Sequence, residues 1–78
     1  MWHTGRIGSP SGNGIYEYHA KVYDTGSEWG INQGRVSKLS IRKVGETAWL
    51  YNWDRGADVE CANEEVETVL NIILAKYA

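Results

Sequence analysis

A chain of 78 residues with 42% apolar side chains, four tryptophans, five tyrosines and a net charge of −2 is expected to form one globular domain, and its composition excludes intrinsic disorder. No apolar run approaches the roughly 18 residues needed to span a membrane, and the opening Met1-Trp2-His3-Thr4-Gly5-Arg6 lacks the apolar stretch of a signal peptide. The single cysteine forbids an internal disulfide, so a cytoplasmic location is expected.

Charge is divided unevenly. Residues 1–53 hold six Lys/Arg against four Asp/Glu, a net of +2, and residues 54–78 hold two against six, a net of −4. Neither value reaches the clustered positive charge of a non-specific nucleic-acid binder.

In chain order, residues 2–7 read as a weak first strand. Pairing Ile7 with Ile15 across the glycine-rich "GSPSGNG" loop (residues 8–14) would set His3 opposite His19 and Trp2 beside Ala20. "IYEYHAKVY" alternates with period two, so Tyr16, Tyr18, Ala20 and Val22 are expected on one face and Ile15, Glu17, His19, Lys21 and Tyr23 on the other. "DTGSEWGINQG" (residues 24–34) is a loop. "RVSKLSIRK" and "ETAWLYNW" read as a hairpin turning on Lys43-Val44-Gly45, with glycine in the left-handed position. That register sets Arg42 against Glu46, Ile41 against Thr47 and Leu39 against Trp49. It gathers Leu39, Ile41, Trp49, Tyr51 and Trp53 on a buried face. Lys38, Ser40, Arg42, Ala48, Leu50 and Asn52 fall on the other.

The last element is a helix over "NEEVETVLNIILAKYA". Val66, Val69, Leu70, Ile73 and Tyr77 recur at spacings of three and four, Asn63 is a natural N-cap, three glutamates fill the first turn and Lys76 the last. The expected fold is therefore α+β: a meander of three or four antiparallel strands with one C-terminal helix packed on one face. The expected core is Tyr18, Ala20, Val22, Leu39, Ile41, Trp49, Tyr51, Val66, Val69, Leu70, Ile73 and Tyr77.

No catalytic set emerges. Cys61 precedes the helix start, but Glu60, Glu64 and Glu65 oppose a thiolate there, so an inert thiol is expected. His3 and His19 are too few for a metal site. Asp54, Asp58, Glu60, Glu64 and Glu65 lack the calcium-loop spacing and read as helix-start and solvated acids. "GSPSGNG" lacks the Lys-Ser/Thr of a phosphate loop. An enzyme using Cys61 or Asp54 and Arg55 is the least favoured reading, and no cofactor or metal is expected. The leading expectation is a non-catalytic protein-interaction module, a homodimer being one form of it, because apolar groups are left over after the core is filled. The alternative is a weak single-strand nucleic-acid binder using Lys21, Lys38 and Arg42 on the polar sheet face. Against it, the aromatics are expected mostly under the helix. The candidate interaction surface is Lys21, Tyr23, Trp29, Ile31, Lys38, Arg42, Leu50, Asp54, Arg55 and Ile72.

The succession Ala20-Lys21-Val22-Tyr23, Gly30-Ile31, Gly34 to Leu39 and Trp53-Asp54-Arg55-Gly56, leading to an acidic helix start, resembles a family of short uncharacterised proteins of Gram-positive bacteria and their phages. Trp53 stands where that pattern has tyrosine, and Ala57 where it has an aromatic. The resemblance implies a phage- or mobile-element-associated accessory protein and supplies no catalytic residues.

Overall fold

Asn63 begins the helix as its composition dictates: its side chain accepts a hydrogen bond from the Val66 amide at 3.0 Å, and α1 runs over Glu64–Lys76. In the computed structural model, which describes residues 1–12 and 14–78, Val66, Val69, Leu70 and Ile73 form the helix's buried stripe. Each such side chain stabilises the fold by about 1.5–3 kcal/mol when fully buried.

The stripe lies on a single five-stranded antiparallel sheet of order β1-β2-β3-β4-β5, with β1 at Trp2–Gly8, β2 at Ile15–Val22, β3 at Val36–Lys43, β4 at Tyr51–Asp54 and β5 at Ala57–Val59. The meander and the covering helix are as expected; the strand count is five instead of three or four. The extra strand folds back through Asp54-Arg55-Gly56, where Arg55 adopts a left-handed φ of 61°. Tyr16, Tyr18, Ala20 and Val22 of β2 and Leu39 and Ile41 of β3 are buried under the helix with Tyr51. The period-two reading of β2 therefore holds.

Two registers differ from those expected. β1 slips by one residue, so Ile7 meets Tyr16, His3 meets Ala20 and Thr4 meets His19. A one-residue slip exchanges the faces of a strand, and Trp2 accordingly stands 57% exposed on the face away from the helix, while His3 packs against Tyr77 with ring centroids 5.0 Å apart. Side-chain volume explains the slip. Gly5 lies opposite Tyr18, and a Cβ built on Gly5 would come within 2.7 Å of the Tyr18 ring. That ring is buried and its hydroxyl meets the Tyr77 hydroxyl at 3.0 Å, so only a glycine fits beside it.

The β3–β4 pairing slips by four, setting Ile41 opposite Tyr51 and Leu39 opposite Trp53. Gly45 does turn with a φ of 91°, but residues 44–50 continue as a loop. An even shift preserves facing, so Tyr51 is buried and Trp53 half-buried as expected. Trp49 falls in the loop and is 43% exposed, not core. Leu50, expected on the polar face, packs against the core, because the loop residues no longer alternate. Arg42 pairs with Glu17 at 2.5 Å instead of with Glu46.

The loop between β2 and β3 is also part of the packing. Ile31, in a short turn at Ile31–Gln33, is buried, and Gly30 lies so close to Gly34 that a Cβ would meet the Gly34 carbonyl at 2.1 Å. Arg35 ties this loop to the helix end, donating to the Tyr23 carbonyl at 2.8 Å and the Ala78 carbonyl at 3.2 Å. A β-bulge between Lys21 and Val22 sets Val36 opposite Val22 and buries Val36, which the simple alternation would expose.

At the other end, Glu65 latches the first hairpin to the helix. Its carboxylate accepts the Ser9 hydroxyl, the Ser11 hydroxyl at 2.8 Å, the Ser11 amide at 3.2 Å and the Tyr16 hydroxyl at 2.9 Å. These donors, Ser9 foremost, hold its carboxyl at about 2, below the ordinary 4.5. A carboxyl depressed in the folded state stabilises fully above its unfolded pKa and loses that contribution as the pH falls.

Two outcomes follow from this packing. Gly5→Ala lowers the urea midpoint by the equivalent of about 1–3 kcal/mol, the usual cost of overpacking, whereas Gly8→Ala, with nothing within 4 Å, is near neutral. The wild type loses stability as the pH falls from 4.5 towards about 2; Glu65→Gln starts lower at pH 7 and shows a flatter acid limb in urea titrations across that window.

Candidate functional site

The helix covers one face of the sheet and leaves the other bare. Cross-strand partners share a face, so the registers assign its rows. Trp2, Lys21, Lys38 and Asp54 form one row, Thr4, His19, Ser40, Asn52 and Val59 the next, and Arg6, Glu17 and Arg42 the third. Lys21 stands between two rings, 6.0 Å from the Trp2 centroid and 5.5 Å from that of Tyr23. Arg42 stands 5.4 Å from the Trp49 centroid. Both distances and partners suit cation–π attraction.

Beyond the first row, Tyr23, Ser27, Trp29 and Arg55 join Lys21, Ser37 and Lys38 around a shallow depression of about 240 Å³. A second, of about 240 Å³, is bordered by Trp2, His19, Lys38, Ser40, Asn52, Trp53 and Asp54. Trp29 is held in place from below, its carbonyl accepting the Trp53 indole N–H at 3.1 Å, while its own ring is 56% exposed. Lys21, by hydrogen bond and charge, draws the Tyr23 phenol below its ordinary pKa.

Arg6, Lys21, Lys38, Arg42 and Arg55 give this face five cations against the two carboxylates of Glu17 and Asp54, a net of +3 in a chain of −2. The rest of the chain therefore carries −5. Two cations are partly neutralised: Lys38 lies 3.6 Å from Asp54, and Arg42 is bonded to Glu17. An exposed pair such as Lys38–Asp54 contributes ~0–1 kcal/mol, little enough for an anionic ligand to displace, whereas Arg42–Glu17 is partly buried.

Of the expected surface residues, Lys21, Tyr23, Trp29, Lys38, Arg42, Asp54 and Arg55 come together on or beside this face. Ile31 does not, because it plugs the core; Leu50 is packed inward; Ile72 is exposed on the helix, in the opposite layer. Trp2, Arg6 and Trp49 belong to the face and were not expected there. The signal for Trp2 was the need of the Tyr18 ring for a glycine opposite it.

The other candidates stay apart. His3 and His19 lie on opposite faces, and among the described residues no group of three or more His, Cys, Asp or Glu could hold a metal ion. Cys61 is half-buried against the core, where burial, then Glu67 and Glu60, push its thiol up. Burial, with Cys61 and Glu60, pushes the neighbouring Tyr51 phenol to about 12. No helix among the described residues is long and apolar enough to cross a membrane.

Fold and face together define an α+β domain of the antiparallel-meander type, roofed by a helix on one side and bare on the other. The chain belongs to the family of the domain of unknown function DUF7678, whose model matches residues 1–78. No curated protein and no solved structure matches it.

Alkylation of Cys61 by iodoacetamide at pH 7.5 is expected to be slower than that of a free cysteine and to accelerate once urea unfolds the chain, as the raised pKa and partial burial require. Rapid alkylation of the folded protein would remove the inert-thiol reading.

Proposed function

We propose that the protein is a non-catalytic accessory module, of the phage- or mobile-element type its sequence resembles, that binds single-stranded nucleic acid on the bare face of its sheet. The observation that carries this reading is the interleaving of cations with exposed rings: Lys21 between Trp2 and Tyr23, Arg42 over Trp49, and Lys38 and Arg55 beside Trp29. Unpaired bases stack on exposed aromatic side chains while cations follow the phosphates, and a shallow open sheet suits a flexible strand. A duplex hides the faces of its bases and would use only the cations. The net of +3 is modest, so binding is weak and falls with salt.

Fluorescence anisotropy of a labelled oligothymidylate tests this. For three to five phosphates engaged, log K against log salt should fall with a slope of about −2 to −3.5, from the single-strand coefficient of about −0.7 per contact. Trp29→Ala and Trp49→Ala should each weaken binding by about 1–3 kcal/mol, with Lys21→Ala reducing the slope. Absence of binding at low salt, or equal binding to duplex, would overturn the proposal.

A further inference from the structure

The first strand carries a second binding element, its outer edge. Met1 and Val22 exchange both backbone bonds, the Val22 amide donating to the Met1 carbonyl at 2.8 Å and the Met1 amine to the Val22 carbonyl at 3.1 Å. Antiparallel strands alternate bonded and non-bonded pairs, so His3, Gly5 and Ile7 spend their backbone groups on β2. Trp2, Thr4, Arg6 and Gly8 turn theirs outward. β1 is the end of the sheet, so this row has no strand beyond it. It also lacks the usual protections of an edge: it is seven residues long, has no proline and no bulge, and carries Arg6 as its only full charge. The opposite edge, β5, is three residues long.

We infer that β1 pairs antiparallel with β1 of a second copy, joining two sheets into one of ten strands about a twofold axis. The occupant is a second copy because the row is self-complementary. Centring the axis on Gly5 sets Trp2 against Gly8 and Thr4 against Arg6 of the second copy, and the reverse, so every outward-facing group is used. Side-chain charge agrees, since this register keeps the two Arg6 side chains from facing each other directly. Gly5 meets Gly5 at a non-bonded pair, where the chains approach most closely and no side chain intervenes. The pairing is isologous and closes on itself. It also runs the two bare faces into one.

Sedimentation equilibrium of the whole chain tests this, with the expected mass twice the 8.8 kDa of one chain as concentration rises through the micromolar range. Thr4→Pro removes an outward amide and no intramolecular bond, so it should fold with unchanged circular dichroism and sediment as a monomer, while Thr4→Ala stays dimeric. Hydrogen exchange of the wild type gives a readout independent of any variant: the amides of Trp2, Thr4, Arg6 and Gly8 should slow about tenfold or more on concentration. A monomer at all concentrations, a dimer with those four amides still exchanging freely, or a folded Thr4→Pro variant that remains dimeric would each overturn the inference.

Discussion

One amphipathic helix roofs one side of one sheet, and most of the molecule's properties descend from that constraint. Val66, Val69, Leu70 and Ile73 meet the buried rows of β2 and β3, and among the described residues no second layer meets the other side. Everything apolar that stabilises the domain must therefore lie between helix and sheet. The remaining rings and cations gather on the uncovered surface because they are what such a short sequence leaves after the core is filled. The acids, by contrast, collect at the start of α1, where the helix dipole and the first hairpin's hydroxyls accommodate them.

Glu65 shows how this arrangement holds together at the edges. A single carboxylate accepts from donors at residues 9, 11 and 16, fastening the loop leaving β1 to the helix start. Arg35 does the corresponding work at the far end, between the β2–β3 loop and the last residue. Polar contacts thus fasten the first hairpin loop and the β2–β3 loop at their edges, the latter also anchored by the buried Ile31.

The legible parts of this fold were those with a local physical signature. Asn63 and the spacing of Val66 to Ile73 marked the helix, and the alternation of Tyr16 to Val22 marked β2. Registers were harder because they depend on volumes in other strands. The sequence reading sets Ile7 against Ile15, whereas the Tyr18 ring requires Gly5 beside it and so sets Ile7 against Tyr16. The Lys43-Val44-Gly45 turn exists, yet a longer loop follows it, in which Leu50 packs against the core and Trp49 is exposed. β5 was hidden because Ala57–Val59 is too short to show any period. Three of the five cations of the bare face, Lys21, Lys38 and Arg42, could be read from alternation alone. Tyr23 could too, but Trp2 and Trp49 could not, since they reached the face through the two slipped registers.

The shortness of β5 has a consequence for how this domain behaves in a crowded solution. A sheet that offers pairing groups along both margins is a bifunctional monomer and can polymerise without limit. Here one margin is cut to three residues, and the seven-residue β1 is the longer edge. On the β1 pairing inferred above, growth along the hydrogen-bonding direction would end after a single step, limited by the geometry of the short margin and not by charge.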